Sequence, residues 1–312
     1  MAAKDIAEKL LEEHNDVFAD IFNVLLFKKD FVNPEELSDA PTEFHYWTKD
    51  QKGCRELRRD VAKLLSKNGK PVAILCIENQ TCIDKTMPFR TQEYNSATYM
   101  MQIKNKKETP LPVITMVLYF GKRKWKTPFD IKEVISKGQD IPEEIMTQIT
   151  SYTMNLVEVA FLPTDIRKNF ISDFGIIADF LAETRVNADT YIPSKKEILH
   201  LKELLFFMEV ITDDSRFGTL FHELACEQKG AVSMCDLLDL YWNKGKNAGN
   251  AEGRIEGRSE GRVSMLVSYL QNSNDNPEAL ANTFKLLGAT PAEISEAKKI
   301  YDKSKKETIT PV

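Results

Sequence analysis

The sequence predicts an α/β protein in which a mixed β-sheet, flanked by helices, is followed by an all-helical region. Two observations predict this class. In the first half, several short apolar runs are bounded by turn residues, a pattern that is typical of strands. Between them lie segments whose apolar residues have the periodicity of helices. Beyond Pro163 the apolar residues recur only at the 3.6-residue period of a helix. At 312 residues the chain can bury a substantial core and is long enough for two structural units.

A tight hairpin forms the centre of the predicted sheet. Asn68-Gly69 is the strongest short hairpin signal, because both residues tolerate the positive φ of a type I′ turn. The arm at 72–77 is apolar on both faces, which is typical of a strand covered on both sides. Glu78 and Gln80 follow on one face of this strand. Folding the arms about the turn brings Asp60 opposite Glu78 or the residue before it.

This hairpin brings two carboxylates close together. Directly opposed residues lie ~4.5–5.5 Å apart at Cβ, so Asp60 and Glu78 would repel each other unless a cation lies between them. Mg²⁺ takes hard oxygen ligands and is often bound through one or two carboxylates. The spacing leaves two interpretations open: a magnesium site, or two strand-end acids that face solvent.

The other elements before Pro163 are assigned from the spacing of apolar and turn residues. They are, in chain order, two helices within 5–27, a loop with a short edge strand in 33–53, a helix from Pro88 to about Lys104, a strand from Pro112 to Phe120, a variable helical segment over 130–150 and a strand from Leu156 to Leu162. His45 lies among aromatic residues in the edge-strand segment, so we expect it to pack rather than to react.

Four helices are predicted after Pro163. They cover 165–184, 194–211, 214–228 and 232–243. His222 and Cys226 in the third have the i, i+4 spacing of zinc-binding helices. No second histidine and no nearby third ligand accompany them, so we expect no metal there.

Glycine then recurs at a strict interval of four residues. The repeat consists of Gly245, Gly249, Gly253, Gly257 and Gly261. Each glycine costs ~1 kcal/mol relative to alanine inside a helix. Two interpretations stay open: a flexible linker, or a helix stabilised by packing against a partner chain.

Residues 263–302 are predicted as two short helices joined at about Asn272 to Pro277. The predicted domains are a core over 1–163, a helical region over 164–244, the glycine repeat over 245–262 and a helical tail over 263–312. A homo-oligomer could form through the helical C-terminal region.

Composition sets limits on the partners. The net charge of −5 offers no overall basic surface, so any nucleic-acid contact must be local. Two basic clusters are candidates, and the alternative for each is an ordinary solvated face. One lies around Asp60 and the other follows the third apolar strand: Arg55, Arg58, Arg59, Lys63 and Lys67, and Lys122, Arg123, Lys124 and Lys126.

The five cysteines are scattered and lack C-x-x-C spacing, which favours a reduced, cytoplasmic location. The first residues mix charged and apolar side chains, so we expect no signal peptide. No apolar run approaches the ~18 residues of a membrane span, so we expect no membrane association.

Several motifs in order resemble the recombination-promoting nucleases (Rpn), also called PD-(D/E)XK nuclease family transposases. The resemblance covers residues 14–130. The motifs are His14-Asn15-Asp16-Val17-Phe18, Asp60, the hairpin, Glu78-x-Gln80, Met87-Pro88-Phe89-Arg90, Tyr94 and Leu118-Tyr119-Phe120-Gly121. The resemblance implies a restriction-endonuclease-like fold.

The resemblance also implies roles for individual residues. Asp60 and Glu78 would be catalytic metal ligands for Mg²⁺, with Mn²⁺ as a substitute. Gln80 stands where the broader superfamily has lysine; it could orient water or a phosphate oxygen but could not act as a general base. Asp16 could be an accessory acid near the metal or a helix cap. Arg90 could hold a phosphate, with Tyr94 beside it, or pair with an acid.

The implied activity is metal-dependent hydrolysis of DNA phosphodiester bonds, linked to recombination or mobile elements. DNA would be bound through Arg58, Arg59, Lys63, Lys122, Arg123 and Lys124. The alternative is a DNA-binding or interaction module that keeps the fold without catalysis, because Gln80 replaces lysine and the chain is acidic overall.

Overall fold

In this computed structural model, the described residues are 10–47, 54–105, 109–187, 191–220, 232–272 and 277–308. The chain divides into two compact units, Met1–Leu238 and Asp239–Val312. The four-part division predicted from the sequence stays a prediction. Among the described residues, no helix combines the length and the apolar character that crossing a bilayer demands.

The first unit contains an α/β core. Its strands are β1 (Leu37–Asp39), β2 (Glu43–Trp47), β3 (Cys54–Arg58), β4 (Val61–Lys67), β5 (Lys70–Gln80), β6 (Val113–Tyr119) and β7 (Asn155–Glu158). Its helices are α1 (Asn15–Phe22), α2 (Met87–Lys104), α3 (Ile131–Ser136), α4 (Glu143–Met146), α5 (Thr164–Arg167), α6 (Phe174–Asn187) and α7 (Leu201–Thr212). The long helix α8 (Met234–Asn272) follows, and α9 (Pro277–Leu286) and α10 (Pro291–Thr308) complete the chain.

The sheet is mixed, as predicted. Five strands lie in the order β1-β4-β5-β6-β7. β1, β4 and β5 are antiparallel neighbours, whereas β5, β6 and β7 are parallel. β2 and β3 form a separate antiparallel pair, of which the sequence predicted only an edge strand. The predicted fold class, a restriction-endonuclease-like mixed sheet flanked by helices and followed by a helical C-terminal region, is confirmed.

The hairpin turn has the predicted backbone conformation. Asn68 and Gly69 have φ angles of 52° and 74°, the left-handed region that a type I′ turn requires at both positions. The ladder pairs Val61 with Ile77 at the far end of the hairpin, and one register shift lies beside Leu65. This register fixes which side chains meet at the end of β5.

Helices cover both faces of β5, as its apolar pattern predicted. Cys76 packs in a buried cluster to which Tyr99 of α2 adds, so α2 covers this face. Phe18 of α1 lies 5.8 Å from the Lys63 ammonium group of β4, on the opposite face. Leu75 and the other central residues of β5 are fully buried between the two layers.

Two predicted elements differ from the prediction in their extent. The strand that follows α4 stops at Glu158 and continues as a 3₁₀ turn over Val159–Phe161. The helix predicted over 165–184 is two helices, α5 and α6. The break occurs because the carboxylate of Asp20 accepts hydrogen bonds from the backbone N–H groups of Ile171 (3.0 Å) and Ser172 (2.7 Å). Burial raises the pKa of Asp20 above its ordinary value, and these hydrogen bonds oppose the rise.

Other helix boundaries also differ from the predictions. The helix predicted from 194 begins at Leu201, and the helix predicted over 232–243 continues through the glycine repeat to Asn272. The repeat is therefore helical rather than a flexible linker. The segment 214–228 lies partly outside the described residues.

The second unit has a small core of its own. Val263, Leu266, Phe284 and Ala297 form one buried cluster. The buried carboxylate of Glu293 accepts hydrogen bonds from Arg262 and Ser259, both at 2.7 Å, and these bonds hold its pKa far below its usual range. α8 ends at Asn272 and α9 begins at Pro277, the two positions between which the sequence predicted a joint, and Gly288 with its positive φ lies between α9 and α10.

Two glycine-to-alanine substitutions should change stability in opposite directions. A Cβ atom added at Gly69 or at Gly253 would meet no other atom within 4 Å, so only backbone conformation differs between the two positions. Gly69→Ala should destabilise its unit by roughly 1–2 kcal/mol, because φ is positive. Gly253→Ala should stabilise its helix by up to ~1 kcal/mol. Urea unfolding measures both, and equal effects of the same sign would contradict this interpretation.

Candidate active site

The hairpin register brings Asp60 to the end of β5. The ladder ends at the pair Val61 and Ile77, so Asp60 immediately precedes this pair on one strand and Glu78 immediately follows it on the other. The Asn79 backbone N–H donates a hydrogen bond of 2.7 Å to Oδ2 of Asp60. The Asp60 carboxylate is therefore fixed at the strand end, beside Glu78.

Glu78 is buried against a cation. Its side chain is 2% exposed, and its Oε1 lies 3.7 Å from Nη1 of Arg59, whose side chain is fully buried. The same guanidinium donates to Thr115 Oγ1 (2.9 Å) and to Asn95 Oδ1 (2.7 Å). Asn95 in turn donates to the Tyr152 hydroxyl (2.9 Å). A buried polar network thus lies beneath the strand end.

The Tyr94 hydroxyl is close enough to Glu78 and Asp60 for their negative charges to affect its pKa. Burial raises the pKa of its hydroxyl, the negative charges of Glu78 and Asp60 add to the rise, and the hydrogen bond from Arg90 opposes it. Arg90 donates to the Tyr94 hydroxyl (3.1 Å) and to Oδ2 of Asp84 (2.8 Å). The alternative in which Arg90 pairs with an acid therefore holds in this structure.

An acid that the sequence did not single out contacts this site from the opposite face of β5. Glu12 is buried, and its Oε2 accepts a hydrogen bond of 2.7 Å from Nδ2 of Asn79. Oδ1 of Asn79 is buried without a hydrogen-bond partner among the described residues. Asp16, the accessory acid predicted from the sequence, instead contacts His200 at 2.9 Å. Glu12 and Asp16 lie one helical turn apart in sequence, and spacing alone cannot distinguish them.

Two of the predicted DNA-binding residues are buried, so this part of the prediction is wrong. Arg59 serves the network around Glu78. Lys63 is 2% exposed and its ammonium group lies 2.8 Å from Oδ1 of Asp39. The charge of Arg59 is compensated inside the protein, and Lys63 is paired with the exposed Asp39, so neither buried side chain is open to a phosphate backbone. Arg58 is 62% exposed, with Glu43 at 3.6 Å.

The second basic cluster is at the surface. Lys122, Arg123 and Lys124 are exposed in the loop after β6. Gln80 pairs with Tyr119 in the parallel ladder, so the carboxyl ends of β5 and β6 lie at the same edge of the sheet. The exposed cations therefore follow that edge, at which Glu78 and Gln80 end β5.

Some residues named from the sequence lie outside the described part. The side chains of His45 and Arg55 belong to this group, and so does the segment that contains His222 and Cys226.

A cleft of about 520 Å³ opens beside Asp60. Its wall carries four carboxylates against one guanidinium and one imidazole, and such a surface attracts cations. The ionisable residues are Glu13, Asp39, Asp60, Glu203, Arg58 and His14.

The residues at the strand end fit a divalent cation. Asp60 and Glu78 offer carboxylate oxygens and Gln80 offers an amide oxygen, the hard donors that Mg²⁺ prefers. Asp60 borders the cleft, which gives an ion a route to the site. Arg59 is the competing cation, because it already lies beside Glu78.

Comparison with known proteins supports the resemblance seen in the motifs. Residues 57–183 match the model of a family described as "Putative transposase, YhgA-like". The matched segment includes the hairpin, α2, β6 and β7, so the predicted family relationship is confirmed for this part of the chain. Comparison with curated proteins and with solved structures gives no significant match.

Loss of Arg59 should be much more damaging than loss of its neighbour. Arg59→Met should destabilise the first unit by about 3–5 kcal/mol, because it leaves Glu78 buried without its compensating charge. Adding Glu78→Gln should restore part of the loss, because neither member of this pair then carries a charge. Arg58→Met, at an exposed position, should change stability by no more than about 0.5 kcal/mol. Urea unfolding tests all three, and similar values for Arg59→Met and Arg58→Met would refute the assignment.

Proposed function

On the premise that residues 57–183 carry the pattern of the YhgA-like transposase family, we propose that the protein is a metal-dependent DNA endonuclease. It would hydrolyse phosphodiester bonds in recombination or in the movement of mobile elements. The observation that carries the proposal is the hairpin register, in which Asp60 and Glu78 flank the last pair of the ladder, with Asp60 at the edge of the cleft.

Asp60 and Glu78 would hold the Mg²⁺ ion, and Mn²⁺ would substitute for it. The bound ion supplies Lewis-acid stabilisation of the phosphate and lowers the pKa of water. Asp60 is oriented for this role by the Asn79 N–H group. Gln80, on the same face of β5 as Glu78, would position the attacking water or a phosphate oxygen through its amide group. An amide is not basic enough to accept a proton from water, so Gln80 would not serve as a base.

Arg90 is suited to hold a phosphate oxygen. Its side chain is 38% exposed, and its partner Asp84 lies near the surface. A planar guanidinium matches the geometry of a phosphate, so a substrate phosphate could replace Asp84 as its partner. Tyr94 would keep Arg90 in place through the hydrogen bond from Nη2.

DNA would approach along the exposed cations Lys122, Arg123 and Lys124. They supply a local positive surface on a chain whose net charge is −5. Such contacts are made to the phosphate backbone and carry no sequence preference.

A second function is favoured by the position of Arg59. Its guanidinium lies 3.7 Å from the carboxylate of Glu78 and already compensates its charge. Gln80 also provides no basic group at the position where related nucleases carry lysine. Both observations suit a DNA-binding or interaction module that keeps the fold and has no catalytic step.

Plasmid nicking tests the nuclease against the binding module. The purified chain should convert supercoiled plasmid to the open circle with Mg²⁺ or Mn²⁺ and should be inactive in EDTA. Asp60→Asn and Glu78→Gln should each lower the rate on the order of 100-fold, or about 2.7 kcal/mol in barrier. Glu13→Gln, which removes another carboxylate from the cleft, is the control and should retain activity. Absence of metal-dependent nicking together with retained DNA binding would establish the second function instead.

The salt dependence of DNA binding tests the basic loop separately. Substituting Lys122, Arg123 and Lys124 together by alanine should reduce the slope of log K against log salt by about 0.9 for each lost phosphate contact on duplex DNA. Fluorescence anisotropy with a duplex measures the slope. Alanine at the exposed Lys298 and Lys299 is the control. An unchanged slope in the loop variant would exclude this loop as the DNA contact.

A further inference from the structure

Three side chains of metal-ligating types converge near the cleft, separate from the pair Asp60 and Glu78. Ligand atoms of His14, Asp16 and His200 all lie within 4.8 Å of one another. Nε2 of His200 is 3.0 Å and 2.9 Å from the two carboxylate oxygens of Asp16. The His14 ring stacks on the His200 ring with centroids 3.7 Å apart. Two segments separated by 184 residues in sequence thus meet at one point.

The backbone around this cluster is well anchored. His14 and His200 occupy the N-cap positions of α1 and α7, and Asp16 lies in the first turn of α1. Asp173, which is fully buried, accepts hydrogen bonds from the N–H groups of His200 (2.7 Å) and Leu199 (3.0 Å). The ligand-bearing residues are therefore held by interactions that do not involve the ligand atoms, as in preorganised metal sites.

We propose that His14, Asp16 and His200 form a binding site for a zinc-like transition-metal ion. Two imidazole nitrogens and one carboxylate are a recurrent three-ligand set for Zn²⁺. Imidazole donors favour Zn²⁺ and other late first-row transition-metal ions, whereas Mg²⁺ and Ca²⁺ prefer oxygen ligands. The cluster therefore differs in metal preference from the all-oxygen set of Asp60, Glu78 and Gln80.

Glu203 provides a fourth donor. Its Oε2 lies 4.0 Å from Nε2 of His14, and it follows His200 by one turn, within α7. A carboxylate there can complete a tetrahedral set or hydrogen-bond a water in the fourth position. Metal binding would then join α1 to α7 through coordination bonds in place of the Asp16–His200 hydrogen bond.

Binding requires one local rearrangement. The two rings are nearly parallel, at 20°, so the in-plane lone pairs of their nitrogens do not converge on one point. Zn–N bonds are about 2.0–2.1 Å long, which brings two coordinated nitrogens close together. Rotation of the His14 ring out of the stack allows this. The carboxylate of Asp16 and Nε2 of His200, 2.9 Å apart, are already as close together as two ligand atoms bound to the same ion.

The site is independent of DNA cleavage. His14 and Glu203 line the same cleft as Asp60, so a bound ion would add positive charge to its acidic wall. Its binding chemistry rests on imidazole donors, and the phosphodiester reaction is not needed for it. Failure of the proposed nuclease activity would leave this inference untouched.

Spectroscopy and calorimetry on the full chain test the site. After EDTA treatment and buffer exchange, titration with Co²⁺ should produce visible ligand-field absorption, and Zn²⁺ should abolish it at one ion per chain. Excess Mg²⁺ should leave the absorption unchanged. Zn²⁺ should also raise the melting temperature of the wild-type chain, because an ion that binds only the folded state stabilises it.

Matched variants decide whether the three residues are the ligands. His200→Gln keeps an N–H donor for Asp16 but removes the imidazole; it should weaken Zn²⁺ binding by about 100-fold or more, beyond the usual effect of losing a supporting residue. His14→Ala and Asp16→Asn should also weaken it. The double variant Asp60→Asn, Glu78→Gln should bind Zn²⁺ like the wild type. Equal Zn²⁺ affinity in wild type and His200→Gln, or loss of binding only in the Asp60 and Glu78 double variant, would overturn the proposal.

Discussion

The buried contact between Arg59 and Glu78 constrains the rest of the first unit. A guanidinium without access to water must have its charge and its N–H donors satisfied inside the protein. Arg59 has Glu78 of β5 beside its charge and donates from its two Nη atoms to Asn95 of α2 and Thr115 of β6, while its Nε is buried without a hydrogen-bond partner among the described residues. One side chain thereby joins the central strands to the helix that covers them. The geometry of the strand end where Asp60 and Glu78 meet depends on this arrangement.

The same contact sets the charge of the proposed active site. The carboxylates of Asp60 and Glu78 and the guanidinium of Arg59 have a net charge of minus one when all three are ionised. A divalent cation would change this to plus one, and the site would then suit the single negative charge of a phosphodiester. Without the cation, the acids of the cleft wall repel a nucleic-acid backbone. The proposed metal binding and the proposed DNA binding at this edge of the sheet would thus be electrostatically coupled.

Local signals in the sequence were sufficient for the central part of the fold. The Asn68-Gly69 turn and the apolar run that ends at Glu78 are contiguous patterns, and each is determined by backbone conformation or by burial of neighbouring residues. The side-chain network was not predictable in the same way. Arg59 looked like one member of a solvated basic cluster, because its partners Asn95 and Thr115 lie 36 and 56 residues away.

Other differences have the same physical origin. The break between α5 and α6 depends on the carboxylate of Asp20, which is 151 residues away from Ile171. Asp16 and His200 are even further apart in the chain. The periodicity of apolar residues indicates which face of a segment packs against the core. It carries no information about which distant polar group replaces a hydrogen bond of a helix. Such contacts became visible only once the segments were placed together.

The glycine repeat of α8 makes part of this helix inherently weak. A Cβ atom added at Gly249, Gly253, Gly257 or Gly261 would meet no atom within 4 Å among the described residues, so no side-chain packing there makes up for the lost helix propensity. At ~1 kcal/mol each, four glycines lower the local stability by about 4 kcal/mol relative to alanine. Amide protons along this stretch should therefore exchange with solvent through brief local unfolding, while the cluster around Leu266 stays protected.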